Sequence, residues 1–341
     1  MKRAVFFKIL AIVLSVIAAI VLGIILFKNN VEAIFKNEES EDMNFTYEYE
    51  LKTNSLDFLN VDWRSGSIEL IPVDVPEPAQ SDEESPPDFS VHIFEKSNRK
   101  LSEEEQVQAT LQNGGLEISW KQKKKLLPFL NFDLGFDFTQ KNIQVEIPRY
   151  VYNSMNEINC ENVSGKILIY DISPDKLKAE TVSGNLNIHQ IESNRIMLSS
   201  VSGEVHAEGL RAEEVELSAT SGKISAEDIS VTHLNAEGVS SLVHLQGKIK
   251  NINASTISGE IRIESELCPE ESDLETVSGA ISLAIPKNSA FTASYESVSG
   301  RFNSDFSGRY EEESQFIVGG GSASFAFSTI SGNIKLYGLS S

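Results

Sequence analysis

Ala179-Glu180-Thr181-Val182-Ser183-Gly184-Asn185-Leu186-Asn187-Ile188 is the stretch that decides the fold, because the chain repeats it. Val163-Ser164-Gly165 precedes it. Val201-Ser202-Gly203, Thr220-Ser221-Gly222, Val239-Ser240-Ser241, Ile257-Ser258-Gly259, Val277-Ser278-Gly279, Val298-Ser299-Gly300 and Ile330-Ser331-Gly332 follow. Ser164, Ser183, Ser202, Ser221 and Ser240 are evenly spaced; the later steps, to Ser258, Ser278, Ser299 and Ser331, vary a little and then lengthen once. A fixed period of this size, about 19 residues, marks a solenoid, whose units bury their apolar faces only against stacked neighbours.

The columns of the repeat choose between helix and strand. Three residues after the serines stand Ile167, Leu186, Val205, Ile224, Val243, Ile261, Ile281, Phe302 and Ile334, and the residues five after are apolar except Ser304. Between them lie mostly polar residues such as Asn187, His206, Ser225, His244 and Arg262. That period of two predicts a short strand with one buried face. Apolar residues six and four before the serine, as in Leu177 and Ala179, predict a second strand. The residue just before the serine is apolar too, which breaks the parity and is read as a corner or bulge, where glycine admits a close neighbouring coil.

Two strands and two corners in about 19 residues make an all-β fold, a β-solenoid whose coils rise by about 4.8 Å. The helical return of a leucine-rich horseshoe and the longer helical units of TPR or ankyrin arrays are not visible in the pattern. The Ser-Gly pairs are nearly equivalent and have no dedicated base, so they are structural turns. The catalytic and cofactor expectation is none.

The run from Ile9 to Phe27 carries no charge and is long enough to span a bilayer as a helix. Met1-Lys2-Arg3 and Lys8 precede it, and the acidic run 38–42 follows, so the expected topology is a cytoplasmic N-terminus with everything beyond it exported. The run is longer than a signal-peptide core and lacks a small-residue cleavage site, so an uncleaved anchor is expected. The expected organisation is a cytoplasmic N-terminus over 1–8, an anchor over 9–27, an acidic linker over 28–44, N-terminal coils and cap over 45–150, and regular repeats over 151–341.

The full chain carries a net charge of −21; residues 1–36 hold five basic residues and one acidic, leaving 24 basic against 49 acidic beyond them, net −25. Nucleic acid is excluded as a partner, since phosphate binding needs a basic footprint.

Residues 44–72 read as a worn coil, with Leu59, Val61, Ser65-Gly66, Ile68 and Leu70 in the matching columns and Trp63 and Arg64 as departures. Phe89–Glu95, Leu116–Trp120 and Ile143–Ile147 read as strands of the first coils and an end cap. The basic cluster 121–125 beside apolar-aromatic 126–132 has two readings, a membrane-dipping loop and a cover for the open solenoid end; the cover is preferred. At the other end the long step from Ser299 to Ser331 is read as an insertion around Arg309–Gly321, with Phe302, Phe306, Phe316, Phe325 and Phe327 plugging the last coil.

Metal chemistry is not expected. Cys160 and Cys268 fall about five coils apart and are expected as free thiols. Of the five histidines only His206 and His244 share a column, with Ser225 between them, so they stand about 9–10 Å apart, too far for one ion. Glu161, Glu180, Glu237, Glu275 and Glu296 recur three before the serine, but serines interrupt that column and the Gly-rich nonapeptide of calcium β-rolls is absent.

The Thr-Val-Ser-Gly-x-Ile/Leu-x-Ile pattern at Ala179–Ile188, Glu275–Leu283 and Ser328–Leu336 resembles the bacterial “putative adhesin” repeat domain of unknown function found in LiaG-like envelope proteins. The Ile143–Pro148 strand and Gly319-Gly320-Gly321 fit that layout, over about residues 45–341. The resemblance implies a β-solenoid on the cell envelope with no known enzymatic activity. The expected function is therefore a membrane-anchored, extracytoplasmic binding or scaffold module, with a place in envelope stress response. Its expected partner is an envelope protein or polymer. The alternatives are a glycan-acting β-helix enzyme and a structural protein self-associating through its solenoid ends.

Overall fold

The computed structural model describes residues 43–77, 88–121, 139–312 and 314–339. The expected anchor at 9–27 and the apolar-aromatic run of 126–132 lie outside them. Among the described residues no helix is long and apolar enough to cross a membrane.

After β1 (Phe45–Thr53), a first coil is built from β2 (Phe58–Ser65) and β3 (Ile68–Val73). Then come β4 (Phe89–Ser97), β5 (Gln108–Gln112), β6 (Gly115–Ser119), β7 (Lys141–Pro148) and a short helix, α1 (Arg149–Ser154). The regular array holds β8 (Glu157–Ser164), β9 (Ile167–Ile172), β10 (Lys176–Ser183), β11 (Leu186–Ser202) and β12 (Val205–Ser258). β11 and β12 are long because their ladders continue unbroken through corners. β13 (Ile261–Ser265), β14 (Glu271–Ser278), β15 (Ile281–Pro286), β16 (Phe291–Ser299) and β17 (Phe302–Ser304) continue it. β18 (Arg309–Glu312), β19 (Gln315–Val318), β20 (Ala323–Ser331) and β21 (Ile334–Leu339) complete the described chain.

These strands form two ladders back to back. The strands leading into the serines stack in parallel as β6, β2, β8, β10, β11, β12, β14, β20 and β16. The strands leaving them stack as β7, β3, β9, β11, β12, β13, β15, β21 and β17. β12 supplies three passes to the first ladder, ending at Ser221, Ser240 and Ser258, so the described residues stack in eleven coils over roughly 50 Å.

Two departures from the expected order follow. The β2/β3 coil is not the outermost: β6/β7 lies beyond it. The coil of Ser331 lies between those of Ser278 and Ser299. The long step to Ser331 therefore reflects a return of the chain as well as an insertion. Antiparallel strands close the ends: β4, β1 and β5 at one, β19 and β18 at the other. The expected phenylalanine plug sits under β19, where Phe291 stacks on Phe325 at 5.0 Å and meets Phe306 at 5.1 Å.

The corner corrects the expected break in parity. Leu177, Ala179 and Thr181 all point inward, so the alternation runs on through the position two before the serine; Val182 and Val201 face outward and are half-exposed. The inward hydroxyl has a job. Glycine amides after the serines bond the serine carbonyl of the next coil, as Gly165 does to Ser183 at 2.8 Å. The glycine carbonyl accepts instead from the side chain two before the next serine: Asn162 to Gly66 (2.7 Å), Ser200 to Gly184 (3.3 Å), Thr276 to Gly259 (3.5 Å). Trp63 is no departure, since its indole N–H donates to the Lys141 carbonyl at 2.6 Å in the same geometry. Glycine is favoured because coils touch there: at Gly184 (φ +153°) a Cβ would lie 1.9 Å from the Gly165 carbonyl oxygen.

A second corner lies seven residues after the serine. Asp171, Gln190 and Asp228 take positive φ there, at 55°, 52° and 50°. Arginines clamp two of them: Arg149 pairs with Asp171 at 2.7 Å and Arg211 with Asp228 at 3.0 Å.

Candidate functional site

Parallel in-register stacking places every outward column of the repeat as a line of side chains along the axis. What those columns hold decides what the surface can do.

The expected turn residues stand at the first corner in a single file, and their role is the interlock just described. Their hydroxyls line one edge of the stack. The carboxylate column three before the serine is offset by neighbours on the same face: Lys178 Nζ lies 2.8 Å from Glu180 and 3.7 Å from Glu161, and Asn235 donates to Glu237 at 3.1 Å. Ser218 donates to Ser199 at 2.9 Å within that column. At its N-terminal end partial burial, and then the stacked Glu161 charge, push the Asp62 carboxyl above the ordinary carboxylate range.

The same face carries a shallow groove of about 400 Å³ that the sequence reading missed. Its walls are the residues seven and five before four successive serines: Glu214 and Glu216, His233 and Asn235, Asn251 and Asn253, Glu271 and Asp273. Two acidic pairs thus flank amide-rich middle coils. Three coil rises separate the acidic pairs, roughly 14 Å. Glu214 and Glu216 are both ion-paired with Arg195, the former at 3.3 Å.

The opposite face, on the strands leaving the serines, brings histidines together. His189 is paired in register with Glu208, and Asn187 with His206, so His189, His206 and Glu208 leave the same face of β11 and β12. His189 Nδ1 lies 3.3 Å from Glu208 Oε2. The two imidazole rings are 5.4 Å apart at 65°, and Tyr170 stacks on His189 at 5.3 Å with planes 12° apart. The expectation compared only His206 with His244; those remain separated by Ser225, which is fully buried and donates to Glu227 at 3.2 Å.

Buried polar chemistry sits at the N-terminal end. Lys141 and Glu95, both inaccessible, form an ion pair at 3.0 Å, with Lys141 Nζ 4.3 Å from the Trp120 ring centre. Glu95 also accepts from the Val107 amide at 2.9 Å, and Lys141 donates to the Glu105 carbonyl. Burial pulls the Lys141 ammonium below the ordinary lysine range against the pull of Glu95. This cluster ties cap strand β4 and coil strand β7 to the intervening loop. Both cysteines are free: Cys160 is buried in the core column, where desolvation pushes its thiol up to about 12, and Cys268 is partly exposed.

A family model described as Toastrack DUF4097 matches residues 68–337, most of the chain. The chain belongs to the Toastrack DUF4097 family. The match is to the family, whose function is unknown, and not to any one envelope protein within it. No curated protein matches the chain. The Toastrack fold seen here is similar to that of a “putative adhesin” from Parabacteroides distasonis ATCC 8503, at 12% identity over 86% of this chain and 97% of that one, with a TM-score of 0.48. It is similar to a “putative adhesin” from Parabacteroides merdae ATCC 43184, at 11% identity over 87% and 97%, TM-score 0.47. It is also similar to a “putative lipid binding protein” from Parabacteroides distasonis ATCC 8503, at 14% identity over 87% and 98%, TM-score 0.42. These likenesses are of fold alone.

Proposed function

We propose that this Toastrack chain is a binding or scaffold module of the cell envelope, tethered by residues 9–27 and displayed outside the membrane, and that it does no chemistry. The observation that carries the reading is the groove crossing four coils. Its polar groups repeat at the coil rise, and one of its two acidic pairs, Glu214 and Glu216, is already bridged by Arg195. Such a surface fits an extended partner with spaced hydroxyl or cationic groups, and the strong negative charge of the exported part favours the cationic kind.

The test is co-sedimentation of the full-length protein with isolated envelope polymer, compared with a variant carrying Glu216→Gln, Asn253→Ala and Asp273→Asn. Retention of the native protein that the variant loses supports the reading. Equal pelleting of both, or none above an unrelated acidic protein, removes the groove from consideration. Protease treatment of intact cells checks the topology: loss of the domain from outside agrees with it, and protection until lysis means a cytoplasmic scaffold.

A further inference from the structure

His189, His206 and Glu208 form the one group of three or more histidine, cysteine and carboxylate side chains, among the described residues, that could hold a metal ion together. We propose that they bind a divalent transition metal of the zinc type, on the face opposite the groove.

Register makes the cluster. A single period of the repeat carries His189 onto Glu208, and the alternation of the strand puts His206 on the same side two residues earlier. The donor atoms of the three side chains all lie within 4.8 Å of one another. Metal–ligand bonds of about 2.0–2.2 Å in a tetrahedron set donors roughly 3.4 Å apart. His189 and Glu208 already meet that spacing at 3.3 Å. The remaining contraction is at most about 1.4 Å and falls on His206, the donor not yet at that spacing, whose side chain is half-buried on the same face. Tyr170, stacked on His189, restrains the imidazole plane, so less freedom is lost on binding.

The donor set selects the ion. Two imidazoles and one carboxylate suit Zn²⁺, Co²⁺, Ni²⁺ or Cu²⁺, whereas Ca²⁺ and Mg²⁺ want oxygen ligands alone. A simple His–Glu ion pair needs only one imidazole, and the second, 5.4 Å from the first, is what turns the pair into a ligand set. Three protein ligands leave at least one coordination position open, and on an exposed face that position is available to a partner's side chain as well as to water.

The experiment is titration of the full-length chain, stripped with chelator in detergent, with Zn²⁺ by calorimetry, and with Co²⁺ by visible absorption, whose ligand-field bands report imidazole coordination. The expected result is one equivalent bound with micromolar affinity. His189→Ala and His206→Ala should each weaken binding at least tenfold, Glu208→Gln should weaken it as well, and His244→Ala should leave it unchanged. Because all three side chains lie on the surface, the metal-free variants should melt with the native protein, which separates loss of ligand from loss of fold. Absence of saturable binding, or binding that His189→Ala and His206→Ala leave intact, overturns the proposal. So does a loss of equal size in His244→Ala.

Discussion

Within residues 151–341 Ser241 is the one residue with a side chain in the glycine file, and Gly238 is the one glycine two before a motif serine. The two exceptions occur in the same coil, and the geometry says they compensate. A Cβ at Gly238 would lie 2.7 Å from Ser241 Cβ and 3.2 Å from its Oγ, so the serine occupies the space that a threonine fills elsewhere. Its hydroxyl, 2% exposed, donates to the Ala219 carbonyl at 2.9 Å. Gly238→Thr alone forces carbon atoms well inside contact distance and should cost about 1–3 kcal/mol by overpacking. Ser241→Gly alone loses a buried hydrogen bond and adds unfolded-chain freedom, about 1–2 kcal/mol. Together they rebuild the arrangement of Thr276 over Gly259, with a new hydroxyl directed at the Gly222 carbonyl.

The double variant should therefore sit within about 1 kcal/mol of the native protein, where additivity demands a loss of about 2–5 kcal/mol. A stacked array need not unfold in one step, so the measurement is native-state hydrogen exchange at the Val243 and Gly259 amides, which bond into the next coil at 2.9 and 3.1 Å. Urea curves for all four proteins serve as the check. Additive losses, within about 0.5 kcal/mol, would sink the interlock as the reason for the glycine file.

Three further outcomes are expected. A thiol reagent near pH 8 should modify Cys268 first and leave Cys160 untouched until denaturant is added, because burial holds the Cys160 thiol near 12; equal rates would refute its placement. Lys141→Met strands the inaccessible Glu95 carboxylate without its cation and should cost about 3–5 kcal/mol, read as faster exchange across residues 89–119, while a change under about 1 kcal/mol would show that the pair is dispensable. The Arg99 guanidinium and Ser102 lower the Glu105 carboxyl from 4.5 to about 2, so its contribution is complete above about pH 4.5 and lost as the pH falls toward 2. Glu105→Gln should flatten the stability profile over that window, and an unchanged slope would mean that other carboxylates set it.

The coil was legible in the sequence because its signals are local. Alternation within a strand and a serine at every period are enough to give strands, corners and the buried columns. The surface was less legible because its contacts run between coils. His189 and His206 are offset in sequence by one period less two, which is the diagonal neighbour relation on one face of a parallel ladder. Comparing histidines only at equal offsets looks along columns and misses diagonals. The groove escaped for a related reason: its residues stand seven and five before the serines, and no single column among them is chemically uniform. Trp63 was misread because its position was judged by side-chain type, when what the position requires is an N–H or O–H donor reaching one coil back.

The order of the coils was the least legible feature, and the reason lies in the interlock itself. Most coils present a glycine carbonyl on one side and a buried side-chain donor on the other, so the pattern does little to dictate which coil stacks on which. Connection length is the remaining constraint, and it acts only where the spacing departs from the regular period. Both ends exploit this in the same way. At the N-terminal end the chain makes the inner coil β2/β3, then β4 and β5 of the cap, then the outer coil β6/β7, before resuming at β8 on the inner side. At the C-terminal end it makes the outer coil β16/β17 first, then cap strands β18 and β19, and returns to slide β20/β21 in beneath. In both cases the cap is spliced into the excursion between the outermost coil and its neighbour, and a cap strand pairs antiparallel with the exposed edge. An uncapped parallel stack would offer a full edge of unpaired amides and carbonyls to another copy. The inverted order thus gives the solenoid its ends, with an antiparallel strand laid on the edge of each outermost coil.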